Sequence, residues 1–319
     1  MSIYFAPMEG ITDSVYRRAH HACFSGVDKY FIPFISPTIH LVLSGREKTS
    51  VSPEENAGLP CIPQVLTKNT DHFLWAARTL ADLGYEEVNL NLGCPSGTVT
   101  AKGKGAGFLR DRNALRAFLD DTFSRTPISI SIKTRIGYES PEEWEALVDI
   151  LSIYPASEII IHPRTRQEFY SGTPHKEAYA LAAERLKQPI VYNGNLFSMQ
   201  DCRDIFANFP GTHALMLGRG LVANPALAQA LTGGAPLTNA TFIRFHDMLY
   251  DGYSQRFSKA IVMGKMREIT KYMATCFVDY EKPWKAIRKA QNETTYLAAT
   301  RTLFTECALA EDPVFIPFS

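Results

Sequence analysis

Eight short β-rich apolar runs recur along the first two-thirds of the chain: SIYFAPM from Ser2, KYFIPFI from Lys29, CIPQVL from Cys61, EVNLNL from Glu87, SISIKTR from Ser129, EIIIHPR from Glu158, PIVYNGN from Pro189 and ALMLGRG from Ala214. Runs of this length bounded by turn formers read as strands, and most of the gaps between them are long enough to hold a helix. Two gaps carry the helix pattern openly. Residues 71–84 (DHFLWAARTLADLG) are amphipathic, with Asp71 as N-cap and Gly84 closing, and residues 141–154 (PEEWEALVDILSIY) put proline and acids in the first turn. Near-continuous apolar strands need cover on both faces, and no turn carries a dinucleotide fingerprint. The expected α/β architecture is therefore a TIM (β/α)8 barrel, with an open doubly wound sheet as the rival.

The pattern changes after ALTGGAPLTNAT: from about Phe242 onward only helical stretches such as VMGKMREITKYMATCF remain. The Gly-Gly-Ala-Pro segment marks a boundary, giving a barrel domain at 1–235 and a smaller all-helical domain at 236–319. With 319 residues, 45% of them apolar, the chain is long enough for both. Residues 256–289 hold nine basic side chains (Arg256, Lys259, Lys265, Arg267, Lys271, Lys282, Lys285, Arg288, Lys289) against three acidic ones (Glu268, Asp279, Glu281). The whole chain balances 33 Lys+Arg with 33 Asp+Glu, which argues against nucleic-acid binding through the entire surface but leaves this basic face for a phosphate-backbone partner. The interleaved Tyr272, Phe277, Tyr280 and Trp284 read as core.

Neither a basic leader followed by a long apolar run nor a stretch of about 18 apolar residues is present, so the expectation is a cytoplasmic protein with no membrane segment. Six cysteines (23, 61, 94, 202, 276, 307) lack C-x-x-C pairing, and the eight histidines lack H-x-x-x-H or H-E-x-x-H spacing. Disulfide and metal frameworks are not expected.

Active sites of such barrels sit where the strands end, and the polar residues there are Met8 with Glu9, Gln64, Asn91 with Cys94, Lys133 with Arg135, His162 with Arg164, Asn193 with Asn195, and Gly218 with Arg219. YNGN and LGRGLVANP place glycines and an arginine after strands 7 and 8, where barrels commonly hold phosphate. Lys133 at a strand end narrows the ligand, because a fixed cation beside the N1/O2 edge of a flavin stabilises the anionic reduced ring. Cys94 opens a Gly-rich segment (GCPSGTVTAKGKGAG) and reads as core filler, metal ligand, nucleophile or proton donor.

Taken together, FAPMEGITDSVYRR, NLNLGCPSGTV, IKTRIGY, IIHPRTRQEFYSG, YNGN, LGRG and MGKMREITKYM resemble the tRNA-dihydrouridine synthases over nearly the whole chain. The resemblance implies an FMN-bearing barrel reduced by NADPH and a helical domain that grips tRNA; a monomer is the expected state. It implies that Pro7 and Met8 back the flavin, that Gln64, Lys133 and His162 line it, and that Asn193, Gly194, Gly218 and Arg219 reach its phosphate, with Asn195 on the flavin side. Cys94 is then the acid that protonates C5 of uracil as hydride reaches C6; an unperturbed thiol, with a pKa near ~8.5, is mostly protonated at neutral pH. Asn91 is expected at the uracil edge, Arg135 and Arg164 at nearby phosphates, Lys265, Arg267 and Lys271 on the RNA, and the Gly-rich segment as a lid. Two positions depart from the family pattern: Gly97 stands where many members carry lysine, and Asn195 where an acidic residue usually follows NG. The rival functions are a dihydroorotate dehydrogenase-like FMN oxidoreductase, which has no use for a basic helical tail, and a non-catalytic RNA-binding barrel, which has no need of Lys133 or Cys94.

Overall fold

A computed structural model describes residues 1–317. All eight runs form strands: β1 Ser2–Phe5, β2 Lys29–Ile35, β3 Cys61–Val65, β4 Glu87–Leu92, β5 Ser129–Gly137, β6 Ile159–Thr165, β7 Ile190–Tyr192 and β8 Ala214–Leu217. They lie side by side in sequence order and close into a barrel, with the neighbouring pairs parallel. The apolar runs follow from this closure, since a strand with side chains inside the barrel and others under helices is buried on both faces, as all seven residues of β6 are. Tyr4, Phe31, Ile160, Val191 and Met216 form one buried cluster.

The starts of the strands are closed by charge rather than by apolar packing. Lys29 at the start of β2 sits 3.0 Å from Glu87 at the start of β4 and 3.1 Å from Glu158 just before β6, and Tyr4 donates to Glu158 at 2.9 Å. Burial and the neighbouring Glu87 hold the Glu158 carboxyl above its ordinary pKa, against the pull of Lys29. Buried charges tolerate removal from water only when paired in this way.

The helix expected at 71–84 runs Thr70–Asp82, and its N-cap is Asn69 rather than Asp71. The Asn69 side chain accepts from the backbone N–H of His72 at 2.9 Å, which leaves Asp71 as an acid in the first turn. The second becomes a short 3-10 turn at Pro141–Glu143 and a helix at Trp144–Leu151, entered through a Ser140/Glu143 capping box.

The chain divides into two compact units. The barrel unit comprises Met1–Pro7, Lys29–Asn195 and Asp204–Met216; the helical unit comprises Met8–Asp28, Leu196–Arg203 and Leu217 onward. Three segments from before residue 236 thus belong with the tail. In the helical unit, Ser14–Cys23 packs on Asn239–Ser254 through an edge-on Tyr16–Phe245 pair at 5.4 Å, followed by helices Lys259–Ala274, Glu281–Lys289 and Glu293–Glu306. Among the described residues no helix is long and apolar enough to cross a membrane.

Candidate active site at the barrel mouth

Within the barrel unit, parallel register brings the expected polar residues together. Gln64 stands opposite Asn89, Asn91 opposite Lys133 and Arg135 opposite His162. A buried amide chain results: Asn91 Nδ2 donates to Gln64 Oε1 at 2.7 Å, Gln64 Nε2 to Asn89 Oδ1 at 2.7 Å, and Asn89 Nδ2 to Ser131 Oγ at 2.9 Å. Strand-end reasoning does not reach Asn89 and Ser131. Their signal is the period-2 alternation of EVNLNL and SISIKTR, which sends them into the barrel with Asn91 and Lys133.

Lys133 Nζ donates to Asn193 Oδ1 at 2.8 Å, and Asn193 Nδ2 donates to the Met216 carbonyl at 2.7 Å. No carboxylate pairs with Lys133 among the described residues. Burial lowers its pKa to about 7, the Arg135 charge acting in the same direction and Cys94 pulling the other way. A half-buried ammonium with an amide as its hydrogen-bond partner calls for an anionic or acceptor-rich ligand, and the flanking amides offer donors and acceptors to a planar heterocycle. The donor set fits a flavin ring edge.

Cys94 follows β4 in a turn that Asn91 caps, its Oδ1 accepting from Gly93 N at 3.0 Å and Cys94 N at 2.9 Å. The Asn91 carboxamide oxygen thus serves this turn, and its Nδ2 serves Gln64. The Gly-rich segment differs from the expected lid. Gly105–Leu109 is buried in a 3-10 turn, and Ala106 N donates to the Cys94 carbonyl at 3.1 Å. A Cβ on Gly105, whose φ is +56, would meet the Cys94 carbonyl oxygen at 2.9 Å and the Cys94 Cβ at 3.0 Å. Glycine at this position allows close packing against Cys94.

Arg135 and Arg164 are both buried, and a buried guanidinium is stable only when carbonyls or carboxylates take its N–H groups. Arg135 donates to the Gly93 carbonyl at 3.0 Å and the Thr165 carbonyl at 2.7 Å, pinning the Cys94 turn to the end of β6. Arg164 donates to the carbonyls of Ser171 and Gly172 and, at 3.2 Å, to Asn195 Oδ1. Arg164 also lies 3.2 Å from His162 Nε2; since arginine only donates, Nε2 accepts and the imidazole proton belongs on Nδ1. The amide at position 195 thus accepts from arginine as a carboxylate does. Gly194 follows Asn193 beside His162, Pro163 and Pro174.

The loop at 166–175 carries residues that strand-end reasoning passes over. Tyr170 lies 5.9 Å from the His162 ring and under the Arg135 guanidinium at 5.4 Å. Glu168 accepts from Thr165 N at 2.6 Å and meets His175 Nε2 at 2.7 Å, while His175 Nδ1 lies 3.0 Å from Glu177.

In the helical unit, Met8 opens the turn into Ser14–Cys23, its carbonyl accepting from Ile11 N and Thr12 N at 3.0 Å. Pro7, in the barrel unit, precedes it. Gly218 leads into Arg219–Ala223, where the Arg219 guanidinium lies 5.2 Å from the Phe197 ring and 5.5 Å from that of Phe315. Gly220 must be glycine, because a Cβ would stand 2.1 Å from the Leu196 carbonyl oxygen. Lys265 turns inward, 2.8 Å from Asp13 Oδ2 and 3.1 Å from the Gly10 carbonyl, and Arg267 donates to the Ala290 carbonyl. Lys271 is half-buried on the same helix. Besides exposed Arg256 and Lys259, the latter 3.2 Å from Glu293, the exposed cations of the basic segment lie on Glu281–Lys289: Lys282, Lys285, Arg288 and Lys289, at helical spacing on the side away from buried Pro283 and Ile287.

The chain matches the family model of dihydrouridine synthase (Dus) over residues 4–310. It is 30% identical over 269 residues to the tRNA-dihydrouridine(16) synthase of Aquipseudomonas alcaligenes, with 80% of this chain and 84% of that protein covered. The protein of the same name from Pseudomonas syringae pv. tomato is 29% identical over 262 residues, 78% of this chain and 81% of its own. Among solved structures, the old yellow enzyme homologue from Zymomonas mobilis superposes with a TM-score of 0.56 at 12% identity, over 74% of this chain and 89% of that one, a likeness of fold. The chain belongs to the dihydrouridine synthase family.

Proposed function

We propose that this oxidoreductase reduces the C5–C6 bond of a uridine in tRNA to dihydrouridine, with FMN as bound cofactor and NADPH as reductant. Position 16 is the target favoured by the names of the relatives above. The observation that carries the reading is Lys133, a half-buried ammonium with no carboxylate partner among the described residues, hydrogen-bonded to Asn193 and opposite Asn91 in the strand register. When bound, the flavin supplies the hydride that C6 of uracil receives. Lys133 would hold the cofactor's anionic edge, with Pro7, Met8, Gln64, His162, Asn193, Gly194, Gly218 and Arg219 as its other proposed contacts. Cys94 gives its thiol proton to C5 and regains one from water. Asn91 and Arg135 act on Cys94 by fixing its turn, and Arg164 acts by holding the 166–175 loop and Asn195. The part of the chain up to residue 235 is assigned the chemistry and the part from 236 the RNA, with the exposed cations of Glu281–Lys289 as phosphate contacts.

The test has two parts. Purified protein should be yellow, and NADPH with an unmodified tRNA transcript should yield dihydrouridine; tRNA from a strain lacking the gene should lose that base at position 16. A colourless protein that FMN does not reconstitute, or a deletion strain with unchanged dihydrouridine, overturns the proposal.

A further inference from the structure

Beside the Cys94 loop, the barrel unit carries an arginine–aromatic cluster that the reaction above does not use. The Arg166 guanidinium lies 4.8 Å from the Phe169 ring centroid and 5.5 Å from that of Tyr138, and Arg110 lies 4.6 Å from the same Tyr138 ring. Arg166 Nη2 is also 3.9 Å from where a Cβ on Gly97 would stand, so the cluster borders the segment that leaves Cys94. Phe169 is 39% exposed, although its ring is large and apolar. Its backbone is left-handed at φ +51, a conformation that a bulky residue keeps only when its surroundings hold it there.

Those surroundings are visible. Arg166 N donates to the Gly137 carbonyl at 2.9 Å, Gln167 N to the Tyr138 carbonyl at 3.1 Å, and Phe169 N to the Arg166 carbonyl at 3.2 Å. The rings are thus presented on a backbone tied to the end of β5. Arg166 Nε is buried and has no acceptor among the described residues. Glu139 lies 3.9 Å from Arg110, with both side chains largely exposed. Preordered aromatic faces, flanking guanidiniums and a buried donor lacking an acceptor match the chemistry of an unstacked RNA strand, whose bases stack and whose phosphates accept.

We propose that Tyr138, Phe169 and Arg166, with Arg110, form a stacking platform for the unpaired nucleotides flanking the uridine that Cys94 protonates. This rests on the tRNA reading above. Extruding a base from a stacked loop costs a few kcal/mol, and it strips the neighbouring bases of one stacking partner. Rings beside the Cys94 loop restore that partner without reading sequence.

The experiment uses full-length flavin-loaded protein and an unmodified tRNA transcript, with affinity measured across a salt series. Phe169→Ala and Tyr138→Ala should each weaken binding roughly tenfold, with the dependence on log salt unchanged, because stacking releases no counterions. Phe169→Trp should restore wild-type affinity. Arg166→Gln should instead flatten the salt dependence. Exposed Phe169 decides the matter should Tyr138→Ala fail to fold. Wild-type affinity in folded Phe169→Ala and in the folded Phe169→Ala/Arg166→Gln double variant overturns the platform while leaving the enzyme reading intact. A wild-type protein that neither binds the transcript nor forms dihydrouridine overturns both.

Discussion

At the scale of single residues, the proposed proton donor, Cys94, is distinct from the groups that hold its turn. Cys94→Ala removes the thiol and leaves the Asn91 and Arg135 bonds to the turn backbone in place. The variant should keep its melting temperature, flavin content and tRNA affinity, and lose dihydrouridine formation by roughly 10²-fold or more, the usual worth of a positioned acid. Near-normal turnover with a lowered melting temperature would instead make Cys94 a packing residue. Lys133 is tested by pH. With its folded pKa lowered to about 7 from 10.5, the free protein loses that charge as pH rises through about 7, whereas a ligand that accepts from the ammonium favours the protonated form. FMN affinity should therefore fall as pH rises past that value, and Lys133→Met should bind more weakly with that pH dependence gone. An unchanged fluorescence titration in the variant rules out the assigned role.

At the scale of elements, the 166–175 loop is fastened by buried Arg164 on one side and by the Glu168–His175 contact on the other. Burial raises the Glu168 pKa, but bonds from Thr165 and His175 outweigh it and the net shift is downward from 4.5. Burial lowers that of His175, yet Glu168 and Glu177 outweigh it and the net shift is upward from 6.5. The Glu168 contribution is present above 4.5 and is lost as pH falls through its depressed value; that of His175 is present below 6.5 and is lost as pH rises through its raised value. Both operate together between 4.5 and 6.5. Amide hydrogen exchange of residues 166–174, corrected for intrinsic rates, should be slower at pH 5.5 than at pH 8.5, and His175→Ala should abolish the difference. Equal protection at both pH values in wild-type protein would show that Arg164 holds the loop unaided.

At the scale of the whole molecule, a chain with no net charge presents its cations in two ways. Lys265 and Arg267 hold the helical unit together, whereas Lys282, Lys285, Arg288 and Lys289 are exposed and carry no ion pair among the described residues. Replacing Lys282, Lys285 and Lys289 together with alanine should reduce the slope of log affinity for tRNA against log salt by about 0.7 to 0.9 for each phosphate left unneutralised, with flavin content unchanged. Lys265→Ala should act differently: it strands Asp13 and should lower the melting temperature of the helical unit more than it alters the salt slope. A triple variant with the wild-type slope would move the RNA surface away from Glu281–Lys289.

The sequence by itself determined the barrel and which polar residues stand at the ends of its strands. Parallel strands covered on both faces must be apolar along their length, so eight such runs were readable, and the polar residues ending every run but the second stood out against them. Cys94, Lys133 and the glycines around them were legible for the same reason, and so was the helical tail. Tertiary structure alone decided what each polar group touches. Asn91 faces its own turn and Gln64 on the preceding strand, Arg135 finds a carbonyl at the end of β6 and Arg164 one on the loop that follows, and Lys265 meets Asp13, more than two hundred residues earlier. Apolar burial is set by a residue's own chemistry and its period along the chain, whereas a hydrogen bond or ion pair is set by a partner that only the closed fold brings within reach.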